Sequence, residues 1–248
     1  MKKSISELFK AIFSYFLAFK FIQKHSLWGY FLIPGLISLC IGIIFILLAC
    51  FLYNDLGNLL YNFYPFEFAK SWIAYISNIL GFLVIIFIGL LLYRTITFTL
   101  LSPFMSALSI KIEGLYLGKK IEDKTTFIYG MKRGLTISLK ILFQETFLVL
   151  LLLIFCWIPI VGQIISVIIF IIHSYYIGFS NFDYLMERHF DVKESTKFIK
   201  SNKFTSIGNG IGFNLLLMIP ILGLFLAPTL STVSATLLGI DKINESNG

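Results

Sequence analysis

The stretch TFLVLLLLIFCWIPIVGQIISVIIFIIHSYYIGFSNF, residues 146–182, decides the fold. It runs for 37 residues without an Asp, Glu, Lys or Arg and is broken near its middle by WIPIVGQ at 157–163. About 18 to 20 apolar residues suffice to cross a bilayer core of about 30 Å. Twice that length with a Pro/Gly break predicts a helical hairpin in hydrocarbon. The pattern occurs twice: residues 204–240 are again 37 uncharged residues, turned by MIPILG at 218–223 and followed by Pro228. Two uncharged runs, 26–54 and 71–93, come before the hairpins, and each is long enough to span once.

The hairpin arms look short. Residues 146–158 make a helix of about 20 Å, less than the core thickness, and in the second hairpin Pro228 interrupts the descending arm and leaves 12 residues before Asp241. The first arm could instead reach back to Gly134 if Lys140 and Glu145 snorkel or face a polar interior, which allows six full crossings. The expected fold is all-α and integral to the membrane. An amphipathic helix over 5–22 precedes transmembrane helices over 27–54 and 71–94, and Pro-turned helical hairpins, inserted in part or in full, follow over 134–182 and 204–240. All belong to one membrane domain, 1–248.

Within 5–22, Ile5, Leu8, Phe9, Ile12, Phe13, Phe16 and Leu17 recur at helical spacing, with Lys3, Glu7, Lys10 and Ser14 on the other side. This predicts an interfacial anchor, or else a helix packed on its own protein. The second span is expected to stop at Tyr93 and Arg94, an aromatic and basic interface pair. Beyond it, 95–118 reads as a cytoplasmic extension bent or broken near Pro103. DVKESTKFIK, from Asp191, carries a capping-box pattern with Glu194.

Composition agrees with a lipid environment: 58% of the 248 residues are apolar and 13% charged, against about 25% charged in soluble domains. The net charge of +7 could suggest nucleic acid, but the 20 basic residues are spread over the connections, so no nucleic-acid partner is expected. They report orientation instead. The N-terminal segment is basic, the connection 55–70 has Lys70 against Asp55 and Glu67, and 94–145 and 183–203 hold eight and five bases. The positive-inside rule then places the N-terminus in the cytoplasm.

Chemistry is sparse. His25, His173 and His189 lack metal-ligand spacing, and Cys40, Cys50 and Cys156 lie in apolar runs as packing residues. No metal, cofactor or enzymatic activity is expected. GLYLGKK at 114–120 is one residue short of a P-loop and lacks its Ser or Thr, so nucleotide hydrolysis is not expected either. His173 is the histidine at depth, as a proton or ligand site or as hydrogen-bonded packing. GNGIG at 208–212 allows close helix contact, or offers bare amides to an anion at a helix start. Paired, broken apolar segments are how membrane proteins build polar sites away from lipid. The bases beside them, Arg94, Lys111, Arg133, Lys140 and Arg188, could attract an anion. Glu113 and Glu145 are the expected partners of Lys111, Arg133 or Lys140, and Asp183 with Arg188 reads as a local clamp.

The ordered series LIPGL, SPF with KIE at 102–113, Arg133, IPIVGQ, YYIGFSNFDYLMER at 175–188, GNGIGF at 208–213, IPILGLFLAP at 219–228 and ATLL at 235–238 resembles the CysZ-type sulfate permeases, grouped with the etoposide-induced-protein-like domain. The resemblance covers about Lys24 to Ile240. It implies two true transmembrane helices, two partially inserted hairpins, a homo-oligomer in the inner membrane, and sulfate passage down its gradient to feed cysteine synthesis. The wider grouping also admits a non-transporting scaffold or stress-associated interaction protein. Where those permeases look to have Gly-Leu-Arg for sulfate, this chain has Ser26, Leu27 and Trp28. The arginine is missing; Ser26, the backbone amides, and Lys24 or His25 could take its place. The anticipated substrate-binding set is therefore Ser26, Leu27, Trp28, Arg94, Lys111, Glu113 and Arg133.

Overall fold

The computed structural model describes residues 2–62, 70–121, 126–158 and 160–247. Pro159 and most of the connection after the first span, with Glu67, lie outside the described residues. Eight α-helices follow in order: α1 Lys2–His25, α2 Leu32–Asn62, α3 Lys70–Leu117, α4 Phe127–Leu153, α5 Val161–Met186, α6 Val192–Ser201, α7 Lys203–Leu217 and α8 Leu222–Asn247. No strand occurs among the described residues. Five stretches are long and apolar enough to cross a membrane: Trp28–Leu52, Ile79–Leu117, Phe127–Trp157, Val161–Met186 and Leu222–Glu245.

Their surroundings differ. The faces of α2, α3 and α4 present rows of exposed apolar side chains, such as Ile46, Phe51, Phe87, Leu90, Phe143 and Phe147. By contrast 72% of the apolar window in α8 is buried within the protein. Its run of Thr229, Ser231, Thr232, Ser234 and Thr236 is fully enclosed. Small hydroxyl residues let neighbouring backbones approach closely and hydrogen-bond across helices, and α8 is accordingly the axis against which α1, α2, α3, α5 and α7 pack.

The repeat in the sequence is a repeat in the backbone. In IPIVG and IPILG the third residue, Ile160 or Ile221, takes a left-handed φ of 71° or 62°. The glycine amide then returns to the first isoleucine carbonyl: Gly162 to Ile158 at 2.8 Å and Gly223 to Ile219 at 2.9 Å. A β-branched residue in that region stores about 1–3 kcal/mol of strain. Both tips end in exposed apolar side chains, Trp157 and Ile160 on one and Met218 and Ile221 on the other.

Several expectations are corrected. The first arm is not 13 residues long: α4 starts at Phe127, ahead of the expected Gly134, because Glu145 finds partners inside the bundle. Pro228 does not interrupt the second hairpin. It lies inside α8, where one lost backbone bond is outweighed by burial on every side, and its carbonyl accepts the Ser231 and Thr232 hydroxyls. Pro103 likewise does not end α3, which runs on unbroken for 48 residues. Tyr93, the expected end of the second span, sits against α2. Its hydroxyl donates to the Ser38 carbonyl at 3.2 Å, tying α3 to α2, and α3 continues as helix past Arg94.

α1 packs on its own protein along one face and leaves apolar side chains exposed on the other. Ile5, Phe9, Phe13, Phe16 and Leu17 are exposed, while Ala11, Ser14, Ala18 and Ile22 are buried. Ser14 is therefore not on a solvent face; its hydroxyl bonds Ser234 of α8. Glu7 pairs with Lys242 at 2.7 Å, tying the two ends of the chain together.

Candidate functional site

Charged side chains gather at three levels inside the bundle. The first joins Arg94 of α3, Glu145 of α4 and His173 of α5. Arg94 Nη1 donates to Glu145 Oε2, and His173 Nδ1 lies 2.6 Å from Glu145 Oε1. At that distance a carboxylate oxygen cannot face a bare nitrogen lone pair, so the ring proton is assigned to Nδ1. Nδ1 is also 3.2 Å from Arg94 Nη1, and the Arg94 guanidinium lies over the Phe98 ring at 5.9 Å.

Arg94 Nη2 is buried and has no hydrogen-bond partner. It is the only charged group in that condition among the described residues. The cluster stands in the wall of a cavity of about 260 Å³ lined also by Thr95, Ser138, Thr146 and Ser180 and, toward the outer face, by the exposed Phe87, Leu90 and Leu153. In such surroundings an unmade N–H bond leaves a desolvation penalty uncompensated. An incoming acceptor would remove it.

The second level is complete without a ligand. Arg133 Nε and Nη2 donate to the two oxygens of Asp183 at 3.0 and 2.8 Å, and Nη1 donates to the Phe190 carbonyl at 3.0 Å. Ser195 adds a hydrogen bond to Asp183 at 2.6 Å. The third level joins Glu113, Arg188 and His189. Arg188 reaches Glu113 Oε2 through Nε and Nη2 at 3.1 and 2.9 Å, Ser109 through Nη2 and the Tyr184 carbonyl through Nη1. His189 Nε2 lies 2.9 Å from Glu113 Oε1.

The pairings differ from those expected. Glu113 pairs with Arg188, and Glu145 with Arg94; neither serves Lys111, Arg133 or Lys140. Asp183 and Arg188 form no local clamp, since residues five apart point to different neighbours on a helix. Lys111 is exposed, with its ammonium 5.5 Å from the Tyr30 ring centre. The structure thus brings Lys111 beside the 26–31 loop, while Arg94, Arg133 and Glu113 occupy three separate places.

The loop itself is a helix end. Ser26 has φ 54°, the Ser26 amide bonds the Gln23 carbonyl and the Leu27 amide bonds the Ile22 carbonyl. This is a Schellman cap, whose left-handed position favours Gly. The two amides are already used, so they are not available to an anion. Leu27 is buried, and Trp28 packs edge-on to Phe19 and against Phe31.

GNGIG is also closed to ligands. It lies within α7 and not at its start, so its amides sit in the helix interior. A Cβ on Gly208 would strike Leu8 and Ala11, one on Gly210 the Ser174 carbonyl, and one on Gly212 the Tyr15 ring. Close contact is the role of these glycines. The Asn209 between them bonds Asn181, Ser231 and Ser234 in a buried network. Asn181 and Asn209 had not stood out in the sequence, although two Asn in uncharged runs were the available signal.

All-helical, and belted by apolar side chains around enclosed charge, the chain is a multi-pass integral membrane protein. Residues 14–228 match the family described as Sulfate transporter CysZ/Etoposide-induced protein 2.4, and the chain belongs to that family. No curated protein matches it.

Proposed function

We propose that the chain is an inner-membrane permease that lets sulfate or a similar oxyanion pass down its gradient, without nucleotide hydrolysis, to supply cysteine synthesis. The observation that carries this reading is the incomplete hydrogen bonding of Arg94: its Nη2 is buried without a protein acceptor, and the residue lines the cavity between α3, α4 and α5. A tetrahedral oxyanion supplies acceptors that guanidinium recognises well. Glu145 balances Arg94 when the site is empty, and an arriving anion competes with it for the same guanidinium. His173, already donating to Glu145, is placed to hold that carboxylate as Arg94 turns to the anion.

The basic connections lie at the same end as the paired termini, which supports a cytoplasmic N-terminus. The short α7 of 15 residues and the buried α8 support partial insertion of the second hairpin. A homo-oligomer fits the family and the broad apolar faces.

Radiolabelled sulfate uptake into liposomes holding the purified protein tests the assignment. The expected result is saturable uptake that unlabelled sulfate suppresses and chloride does not. One observation favours the second reading, a non-transporting scaffold: at Ser26–Trp28 two amides are tied into a cap and an indole stands where a cation was expected. Folded protein that carries no sulfate would decide for the scaffold.

A further inference from the structure

A second cavity, of about 330 Å³, opens between α4, α5 and α6 and is lined by Lys140, Lys200, Thr196, Gln144, Phe147 and Tyr175 among others. It differs from the Arg94 cavity in charge. Two ammonium groups line it and no carboxylate does, and neither lysine has an acidic partner within ion-pair distance among the described residues. Lys140 is held at the opening by a hydrogen bond from Nζ to Thr196 Oγ1 at 3.1 Å. One held and one exposed ammonium without carboxylate partners, beside aromatic walls, call for an anion.

The shape of the surroundings narrows which anion. From Lys140 the same face of α4 continues through Gln144, Phe147, Leu148 and Leu151, spaced as one helical stripe, and the 3-10 turn that follows α4 carries Phe155. Phe147 is 66% exposed and Phe155 50% exposed, and the stripe runs toward the hairpin tip at Trp157. A basic head and an apolar track of about 16 Å on one helix face match a ligand with an anionic head and a long hydrocarbon tail.

We propose that this cavity binds the phosphate headgroup of an anionic phospholipid, with an acyl chain lying along the outer face of α4. The site is separate from the Arg94 cluster and does not depend on which anion is carried. Lys140 and Lys200 hold the phosphate, Gln144 offers a hydrogen bond, Thr196 positions the Lys140 ammonium, and Phe147 and Leu148 take the first methylenes of the chain.

The test uses the full chain in neutral detergent, titrated with phosphatidylglycerol or phosphatidylcholine of the same acyl chains. Retained lipid is counted by native mass spectrometry, alongside the shift in melting temperature. Wild type should retain phosphatidylglycerol in preference. Lys140→Gln with Lys200→Gln should weaken that preference about 30-fold, since each near-surface base contributes about a fivefold share of lipid attraction. Lys200→Gln alone changes an exposed side chain and should give an intermediate loss in protein that folds normally. Lys119→Gln with Lys120→Gln, on another connection, should change nothing. Equal retention of the two lipids, or a preference that survives the double substitution, would overturn the proposal. So would full competition by inorganic phosphate at matched concentration, which would mark a site for free oxyanions.

Discussion

Arg94 and Arg133 are both arginines on inward-facing positions of long apolar helices, and both pair with a carboxylate on a neighbouring helix. They differ in completeness. Each of the three nitrogens of Arg133 has a protein acceptor, whereas Arg94 keeps Nη2 unbonded beside a cavity. A fully bonded buried pair serves architecture, because nothing further can bind without breaking it. A pair with one donor left over is a site that a ligand can complete. Hydrogen-bond geometry alone thus separates a completed arginine from an incomplete one, and the proposed anion role falls on the incomplete one.

The comparison breaks most visibly at Arg133. Arg133→Met leaves Asp183 buried without a counter-charge, and should lower stability by about 3–5 kcal/mol, read as loss of folded protein in detergent melting. Retention of normal stability would mean that the pair is not what fixes α4 on α5. Gly210→Ala touches neither arginine but forces a methyl into the Ser174 carbonyl. It should cost about 3 kcal/mol and shift α5, the helix that carries both His173 and Asp183, so both clusters should suffer together. Preserved melting would contradict the tight α5–α7 crossing.

Arg94 should behave in the opposite sense. Arg94→Gln with Glu145→Gln removes both charges at once, so no buried ion is left unpaired, and the change in melting should stay within about 1 kcal/mol. Smallest of all, Ser26→Gly relieves the left-handed cap and should raise stability by about 0.5–1 kcal/mol, leaving sulfate uptake unchanged. A drop in stability there would refute the cap geometry.

Lipid exposure made the fold legible. Long uncharged runs at 26–54, 71–93, 146–182 and 204–240 are demanded by hydrocarbon, and the IPIVG and IPILG repeats marked both tips before any coordinates. The capping box at Asp191 and Glu194 was equally local and is formed as read. What composition does not encode is rotation of one helix against another. Arg94, Glu145 and His173 come from three helices separated by tens of residues, and their meeting depends on which face each helix turns inward. The same limit hid the partners of Glu113 and Arg133. Pro228 was misjudged for a related reason: a breaker acts by its surroundings, and the hydroxyl-rich residues after it, Thr229 to Thr236, signal burial against protein where lipid had been assumed. At Ser26 the sequence showed a lost arginine two residues on, but the vanished glycine at the cap position was the change with a backbone consequence.

The central claim is that the Arg94 cavity is the station for the carried anion. Sulfate uptake by liposomes containing the Arg94→Gln, Glu145→Gln double variant, with melting checked on the same preparation, tests it most directly. Uptake should fall at least about tenfold, the share of one charge-assisted hydrogen bond, in protein that melts close to wild type. Uptake equal to wild type in that folded variant would contradict the claim.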